Sequence, residues 1–428
     1  MRRRFFNNNI KNFDINDYLT IEALEDNLQV CFPNEDLMYG IDGLGWQNLV
    51  AGAYSPAISK GQTISFKGNV KPDVSNPKTF TITKRCNLLG NCMSMLFGDN
   101  AADNYSLEGK DYAFYNLFYG CTNIVNVSSN FLPATTLTNG CYSGMFKNCT
   151  RLTTAPALPA TTLARYCYQH MFHDCSRLTT APALPATTLT DECYGYMFYN
   201  CTNLTTAPEL PATTLASYCY YDMFQFCTNL TVAPELPATT LNTSCYEGMF
   251  SYCTNLTIAP ELPATTLEYY CYRSMFDGCK KLNYIKMLAT DISASNCLNN
   301  WVGNVSSTGT FVKNPDMNSL SIGTSGIPSG WTVVNDGEES GGGGSSLTFP
   351  VTFVRGDNGQ LGIDVYNFLI EKYGRGYYGE IEEDVYIYTS INGEYLTLKI
   401  NEINIAMSIE LYDSRDGVYI LRSSGLIE

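Results

Sequence analysis

Residues 141–166 read CYSGMFKNCTRLTTAPALPATTLARY, and this 26-residue unit recurs down the middle of the chain with few changes. The shared pattern is CYxxMFxxCxxLTxAPxLPATTLxxx, and its six regular copies begin at Cys141, Cys167, Cys193, Cys219, Cys245 and Cys271. A unit this short cannot bury its own apolar face and must stack on its neighbours, so a fixed period in this range is typical of a solenoid.

The residues that stay constant between copies are mostly apolar. In the first copy they are Cys141, Met145, Phe146, Cys149 and Leu152, and their spacing predicts one face of a short helix. The prolines of the following LTTAPALPATTL stretch cannot lie inside a helix, which predicts an extended strand and a turn there. A helix and a strand within 26 residues make a leucine-rich-repeat rung.

Degenerate copies flank the regular ones. Worn versions of the pattern occur at 92–97 and 113–124, and a last one runs from Cys297 through Trp301 to about Pro315. Terminal repeats are expected to be atypical because they close the core, and the total is about nine rungs within 86–335.

The two flanks differ from the repeats. Residues 1–85 are predicted to be a β-rich attachment domain, with strand-like stretches at 18–32, 62–68 and 79–84. Residues 336–347 are predicted to be a Gly/Ser linker. Residues 348–428 are predicted to be a small α+β domain. Its predicted helix lies around 363–373, and its hairpins turn at Asn392-Gly393 and Asp416-Gly417. The fold class is therefore α+β multidomain, with a solenoid between two flanking domains.

The repeat motif resembles a known family. MFxxCxxLTxAPxLP, seen at Met171-Phe172, Met197-Phe198 and Met223-Phe224, is similar to the repeat of BspA-like leucine-rich repeat proteins, common in gut anaerobes and their phages. The endings WVGNVSSTGTFVKNP (301–315) and IPSGW (327–331) also resemble the way such arrays close. The resemblance covers roughly 86–335. It implies a leucine-rich-repeat fold and a role in surface adhesion or in a phage particle.

Composition and motifs restrict the classes of function that the chain is expected to have. The chain has 26 basic against 41 acidic residues, a net charge of -15, which argues against nucleic acid as a partner. It has only two histidines and no GxSxG, HExxH, P-loop or dinucleotide motif, which favours a non-enzymatic protein without cofactors. Neither a signal-peptide h-region nor an apolar run of about 18 residues is present, so we expect no membrane insertion. Many cysteines without an export signal favour a reduced protein made in the cytoplasm.

Comparison of the copies locates the variable positions. They are the pairs after CY and after MF and the triplet after LPATTL, and they favour Tyr, Ser, Asn, Asp and Gly, a composition that suits recognition surfaces. Free drift at solvent-exposed positions is the alternative. The candidate binding face consists of Gln169, His170, Tyr196, Tyr199, Tyr221, Asp222, Gln225, Phe226, Glu247, Tyr252, Arg273, Tyr269 and Tyr270.

Possible metal ligands have simpler interpretations. Cys141 and Cys149 would be about 12 Å apart on a helix, too far for a disulfide, and CxxC pairs are absent, so the paired cysteines are predicted to be core thiols. His170 and His173 could form a metal pair, but no other copy has either histidine. The acidic run at 380–384 could bind a cation or be a solvated loop. No catalytic, cofactor or metal site is predicted.

These observations favour a phage virion protein of the fibre or decoration type that is made in the host cytoplasm and displays the solenoid to a host surface. Its expected partners are other virion proteins, a host surface protein or glycan, and possibly itself. A bacterial cell-surface adhesin is the alternative, and an enzyme such as a depolymerase with its site in the C-terminal domain is a third hypothesis. The N-terminal arm is either a disordered tail or a docking arm. That arm consists of Arg2, Arg3, Arg4, Phe5 and Phe6.

Overall fold

The N-terminal region forms a sheet that continues into the repeats. The computed structural model describes residues 13–75 and 78–337, and beyond them only the backbone of four strands. The first eight strands are β1 (Leu19–Ala23), β2 (Val30–Cys31), β3 (Leu37–Ile41), β4 (Leu44–Leu49), β5 (Thr63–Lys67), β6 (Thr81–Ile82), β7 (Cys86–Gly90) and β8 (Ile124–Val127). The strands predicted within 18–32, 62–68 and 79–84 are thereby confirmed.

Six of these strands form one sheet in the order β4-β3-β5-β1-β7-β8, and β2 pairs with β6. The central strand β5 is buried on both faces, since Ile64, Ser65 and Phe66 are all fully buried. All neighbours are antiparallel except β7 and β8, which are parallel. The sheet thus changes from antiparallel to parallel where the repeats begin, and Phe80 stacks on Phe118 at 5.3 Å across this junction.

The segment from CY to the second cysteine of each copy is a chain of consecutive turns, and the predicted helix is wrong. Tyr142, Gly144, Phe146 and Asn148 each donate a backbone N–H to a carbonyl of the next copy, at 2.8–3.0 Å. The residues between them donate to a carbonyl three residues back in their own copy. Half of the backbone bonds therefore link neighbouring copies, which an α-helix cannot do because its bonds are internal.

A left-handed residue every fourth position produces this pattern. In the first copy, Gly140, Gly144 and Asn148 have φ of 58°, 62° and 62°. The equivalent residues one period later, Tyr166 and His170, have φ of 59° and 56°. A left-handed residue ends a helical turn, so each four-residue step closes and the next begins. Among the described residues, α-helix is limited to α1 (Ser94–Phe97), with 3-10 turns at Ile15–Asp17 and Gly98–Asn100.

In the first five regular copies the proline- and threonine-rich half forms only isolated β-bridges, and the predicted strand is present only in the sixth copy, at Tyr284–Met287. Neighbouring copies meet through these parallel bridges, for example Thr180 to Thr206 and Thr188 to Thr214. The threonines of these bridges are exposed, whereas the leucines beside them, such as Leu204 and Leu210, are buried. Alternation along the extended segment thus separates a polar outer surface from the core.

Two aromatic columns run through the core. Tyrosines from six copies stack between Tyr142 and Tyr272 with ring centroids 5.7–6.1 Å apart. Phenylalanines form a second column, in which Phe172, Phe198 and Phe224 follow at 5.7 and 5.6 Å with nearly parallel planes. Each ring buries a large apolar area against the copies above and below, so every copy depends on its neighbours.

The buried tyrosine hydroxyls are expected to destabilise the first column. The hydroxyls of Tyr168 and Tyr194 are buried and have no hydrogen-bond partner among the described residues. The worn copy at 113–124 has Phe114 at this position, and it stacks on Tyr142 at 5.5 Å. We therefore expect Tyr168→Phe to leave the free energy of unfolding unchanged or to raise it by about 1 kcal/mol. Urea denaturation checks this, with Tyr168→Leu as the control that loses the ring, and a clear loss in Tyr168→Phe would reveal a hidden partner.

The cysteines are free and pack in the core, which confirms that prediction. All 17 thiols are unpaired, and only Cys31 is more than marginally exposed. The second cysteine of each copy donates its thiol to the phenylalanine carbonyl of the preceding copy, as Cys201 does to Phe172 at 3.1 Å. Burial raises the pKa of the Cys193 and Cys245 thiols to about 12. These thiols are therefore poor nucleophiles and poor metal ligands at neutral pH.

The stack ends in a parallel sheet of β9 (Tyr284–Met287), β10 (Thr310–Lys313) and β11 (Thr332–Asn335). Trp301 lies over the ends of both aromatic columns, 6.4 Å from Tyr272 and 6.2 Å from Phe276. Its indole N–H donates to the carbonyl of Gly326 at 2.8 Å. The larger tryptophan ring thus covers the last open layer of the core.

The chain divides into two compact units, Met1–Gly337 and Glu338–Glu428. In the second unit, β12 (Val351–Val354), β13 (Leu396–Asn401), β14 (Ala406–Ser414) and β15 (Val418–Ser423) pair antiparallel in the order β12-β15-β14-β13. The strands β14 and β15 flank the predicted Asp416-Gly417 turn. The helix around 363–373, the Asn392-Gly393 turn, linker residues 338–347, the acidic run at 380–384 and the docking arm at 2–6 lie outside the described residues.

Candidate functional site

The predicted binding residues all lie on the turn segments, and we call this surface the turn face. It consists of the pairs after CY and after MF and the triplet before CY in the six regular copies. The sequence analysis assigned these positions to a helix, whereas they lie on turns. On the turn segments, corresponding side chains of successive copies stand next to one another, because the backbone of each copy is bonded to the next.

Part of the composition of the turn face has a conformational cause. The second residue of each pair and the last residue of the triplet are left-handed, with φ between 49° and 77°. Glycine, asparagine and aspartate adopt this conformation most readily, which explains Gly144, Asn148, Asn200 and Gly278 without any reference to a ligand. The recognition argument therefore applies to the bulky residues at these positions, which are costly there.

Four of those bulky residues are aromatic and form a row across the middle copies. His170 stacks on Tyr196 at 4.5 Å, and Phe226 stacks on Tyr252 at 4.9 Å. Tyr199 lies between them, 5.4 Å from Phe226. All except Tyr199 are left-handed. A left-handed conformation costs an ordinary residue about 1 kcal/mol or more, so contacts between the rings must offset this cost.

The two histidines are part of this row. Their Nδ1 atoms lie 3.2 Å apart, and His173 stacks on Tyr199 at 4.4 Å. Burial lowers the pKa of His170 to about 3 and that of His173 to about 4, and the charge of Lys147 acts in the same direction. Both imidazoles are therefore neutral at pH 7 and behave as aromatic rings.

The buried histidine should make the protein sensitive to acid. The pKa of His170 is about 3 in the folded state against 6.5 for the free side chain, so its stabilising effect is complete above pH 6.5 and is lost as the pH falls towards 3. From pH 7 to pH 5, we expect the wild type to lose about 2 kcal/mol more than His170→Asn. Urea denaturation at both pH values measures this. Equal losses in the two proteins would show that His170 is not buried as a neutral ring.

A charged cluster lies at the far end of the row. Arg273 pairs with the largely buried Glu247, Nη1 to Oε1, at 3.0 Å. Burial and the charge of Glu247 raise the pKa of Asp222 to about 7, although Arg273 and the hydroxyl of Tyr221 act in the opposite direction. Asp222 packs against Gly248, where a Cβ atom would lie only 1.9 Å from its Oδ1. The missing side chain at Gly248 thus makes room for the carboxyl group.

The remaining predicted residues lie at the margin. Tyr269 and Tyr270 contact each other with ring centroids 3.9 Å apart, and the guanidinium of Arg273 lies 4.9 Å from the Tyr270 ring. Gln225 is partly exposed beside Phe226. The turn face therefore brings the thirteen predicted residues into a connected aromatic row and an adjoining charged cluster.

A small cavity of about 220 Å³ opens in the turn face, and sequence comparison identified only half of its lining. Gln169, Tyr196 and Tyr221 were predicted, whereas Glu192, Gly195 and Tyr218 were not. Glu192 and Tyr218 are the last residues of the variable triplet, which is the signal that could have found them. Glu192 accepts a hydrogen bond from Gln169 Nε2 at 2.7 Å.

Within residues 13–75 and 78–337 and the four outlying strands, no group of three or more His, Cys, Asp or Glu is arranged to hold a metal ion. Over the same residues, no helix has both the length and the apolar character needed to cross a bilayer.

Comparison of the chain with protein-family models, with curated proteins and with solved structures gave no match.

Proposed function

We propose that this chain is a non-enzymatic structural protein of a phage virion, of the fibre or decoration type, which displays a BspA-like leucine-rich-repeat solenoid for attachment to a host surface. The observation that supports it is the aromatic row at left-handed positions. Four left-handed positions carry large rings in the middle copies, namely His170, Tyr196, Phe226 and Tyr252. The outer copies have small residues at the equivalent positions, namely Gly144, Asn148, Ser274 and Gly278.

Glycine and aromatic residues differ in the backbone strain that they cause at these four sites. Glycine would satisfy the backbone at these four sites without strain, as it does in the outer copies. Aromatic residues there add strain and expose apolar surface, with Tyr252 39% exposed. At the pair positions, free drift would spread such costly residues over all six copies, whereas they occur in the second to fifth copies and in neither the first nor the sixth. Large, rigid, partly polar rings are well suited to binding because they lose little conformational entropy.

An attachment role without catalysis agrees with the chemistry of the described residues. The shifted pKa values of His170, His173 and Asp222 arise mainly from burial, and the buried thiols have raised pKa values. A catalytic group needs a pKa near the working pH and access to a substrate. Among the four groups just named, Asp222 alone has a pKa near neutrality, and its carboxyl is packed against Gly248 of the next copy.

Mass spectrometry of purified particles tests the virion assignment. We expect peptides from 86–335 in particles that have been banded on a density gradient and treated with protease-free nuclease. Peptides found in the cell-envelope fraction instead would favour the alternative, a bacterial surface adhesin with the same turn face. Absence from both fractions would contradict the proposal.

Attachment of the purified chain to host cells tests the role of the turn face. One variant replaces the four rings of the aromatic row by the glycine or asparagine of the outer copies, at His170, Tyr196, Phe226 and Tyr252. These changes relieve backbone strain. We expect this variant to lose attachment while it keeps its fold. Replacement of the exposed Thr180, Thr206 and Thr214 by serine is the matched control on the opposite surface. Unchanged attachment of the first variant would exclude the aromatic row as the binding surface.

A further inference from the structure

The cavity in the turn face exists because one side chain is missing. The first residue after CY forms a column along the stack, and its three central members are Gln169, Gly195 and Tyr221. Gly195 leaves a gap in this column, one copy wide, between the side chains of its neighbours. Its φ is not left-handed, and a Cβ atom there would lie 3.6 Å or more from its surroundings. Neither strain nor crowding therefore requires glycine at this position.

The lining of the gap combines aromatic surface with hydrogen-bonding groups. Tyr196 and Tyr221 meet edge to face with ring centroids 5.0 Å apart, and Tyr218 lies 5.7 Å from Tyr221. The carboxylate of Glu192, held by Gln169, is an acceptor that still has free lone pairs. The volume of about 220 Å³ is below the range of about 300–1,000 Å³ typical for drug-sized ligands, so the gap admits one ring-sized group.

A sugar ring matches this arrangement. A pyranose presents a C–H face that packs on an aromatic ring and hydroxyl groups that donate to a carboxylate. The tyrosine hydroxyls can both donate to and accept from the same sugar. A purely aliphatic group would exclude water from the remaining acceptor sites of the Glu192 carboxylate without replacing its hydrogen bonds, which is costly.

Charge selects between neutral and acidic sugars. The guanidinium of Arg165 lies 3.9 Å from the Glu192 carboxylate. Its positive charge already neutralises part of the negative charge of Glu192. The chain as a whole carries -15. An anionic sugar would meet Glu192 at short range and a repulsive field at long range, so sialylated or sulfated glycans are disfavoured.

We propose that the gap at Gly195 is a subsite for one neutral sugar residue of a surface glycan, with Tyr196, Tyr218 and Tyr221 packing on the ring and Glu192 accepting from its hydroxyls. This rests on the proposed function, since it names the ligand class of the same turn face. It also explains why this copy has glycine where the other five have side chains.

Filling the gap is the direct test. Gly195→Gln copies the residue at the same place in the preceding copy, and Gly195→Ala adds a single methyl group. The probe is a panel of immobilised neutral oligosaccharides ending in glucose, galactose, mannose or N-acetylhexosamine, with sialylated and sulfated members beside them. We expect the wild type to bind neutral members only, Gly195→Gln to bind at least about tenfold more weakly, and Gly195→Ala to lose about threefold or less.

Two variants of the exposed Tyr218 distinguish loss of the aromatic ring from loss of the fold. Tyr218→Ala should weaken binding by about tenfold and Tyr218→Phe by much less, because the ring carries the contact. Full binding by Gly195→Gln, preference for acidic members, or no binding to any neutral member would overturn the subsite. These results are distinct from failure of the proposed function, because attachment to host cells and presence in particles are measured on the wild type without any sugar.

Discussion

Replacement of Phe198 by alanine is expected to lower the free energy of unfolding by about 3–5 kcal/mol. Phe198 is fully buried in the middle of its column, stacked on Phe172 at 5.7 Å and on Phe224 at 5.6 Å. Its removal leaves a cavity lined by two copies whose backbones are fixed by hydrogen bonds, so the site cannot collapse. The measurement is urea denaturation followed by circular dichroism and by tyrosine fluorescence.

Phe198→Leu is the matched control, since it keeps most of the volume and should cost less than about 1.5 kcal/mol. The alanine variant should also separate the two spectroscopic transitions, because copies interact only with their neighbours and a weak central contact uncouples the two halves. A loss below about 1 kcal/mol for alanine would mean that the column does not hold the copies together.

The period and the core could be predicted from the sequence, whereas the local backbone could not. Met145, Phe146, Cys149 and Leu152 are all buried, as their constancy indicated. Their spacing fits a helix of 3.6 residues per turn and a chain of four-residue turns about equally well, since the two differ by less than one residue over eight. The signal that distinguishes them is the glycine or asparagine every fourth residue, at Gly140, Gly144 and Asn148.

The sequence predicts which residues share the candidate surface, but it does not predict the shape of that surface. Variation between copies identifies residues near the surface, such as the half-buried Tyr196 and Tyr221, because positions outside the core tolerate change. It cannot distinguish a residue that varies for a ligand from one that varies because the backbone is left-handed. Nor can it show that Gly195 opens a cavity, since a cavity depends on the side chains of the copies above and below. Both questions can be answered only from the way in which the copies stack.

The two ends of the aromatic row respond to pH in opposite directions. Partial burial favours the neutral form of His170, so acid destabilises the protein through it, whereas partial burial favours the neutral form of Asp222, which destabilises the protein as the pH rises. The two effects partly cancel in the wild type between pH 7 and pH 4. Stability that changes little over this range would therefore conceal two large and separate contributions, which only variants can reveal.

Asp222→Asn is expected to stabilise the protein at pH 8 relative to the wild type by about 3 kcal/mol more than it does at pH 4. The folded pKa of about 7 lies above the ordinary value of 3.8, so the stability that Asp222 contributes is complete below pH 3.8 and is lost as the pH rises through 7. Asparagine keeps the shape that fits against Gly248 and can still accept from Tyr221, but it never ionises. Thermal or urea denaturation at the two pH values measures the difference.

Glu209→Gln removes a carboxylate that is exposed on the opposite, extended side of the stack, and serves as the control. It should stay within about 0.5 kcal/mol of the wild type at both pH values. If Asp222→Asn shows the same small, pH-independent change, the carboxyl is solvated and the packing of Asp222 under Gly248 is wrong. If the gain at pH 8 appears and is abolished by Gly248→Ala, the burial that raises the pKa of Asp222 comes from the next copy, as the stacking of the turn face requires.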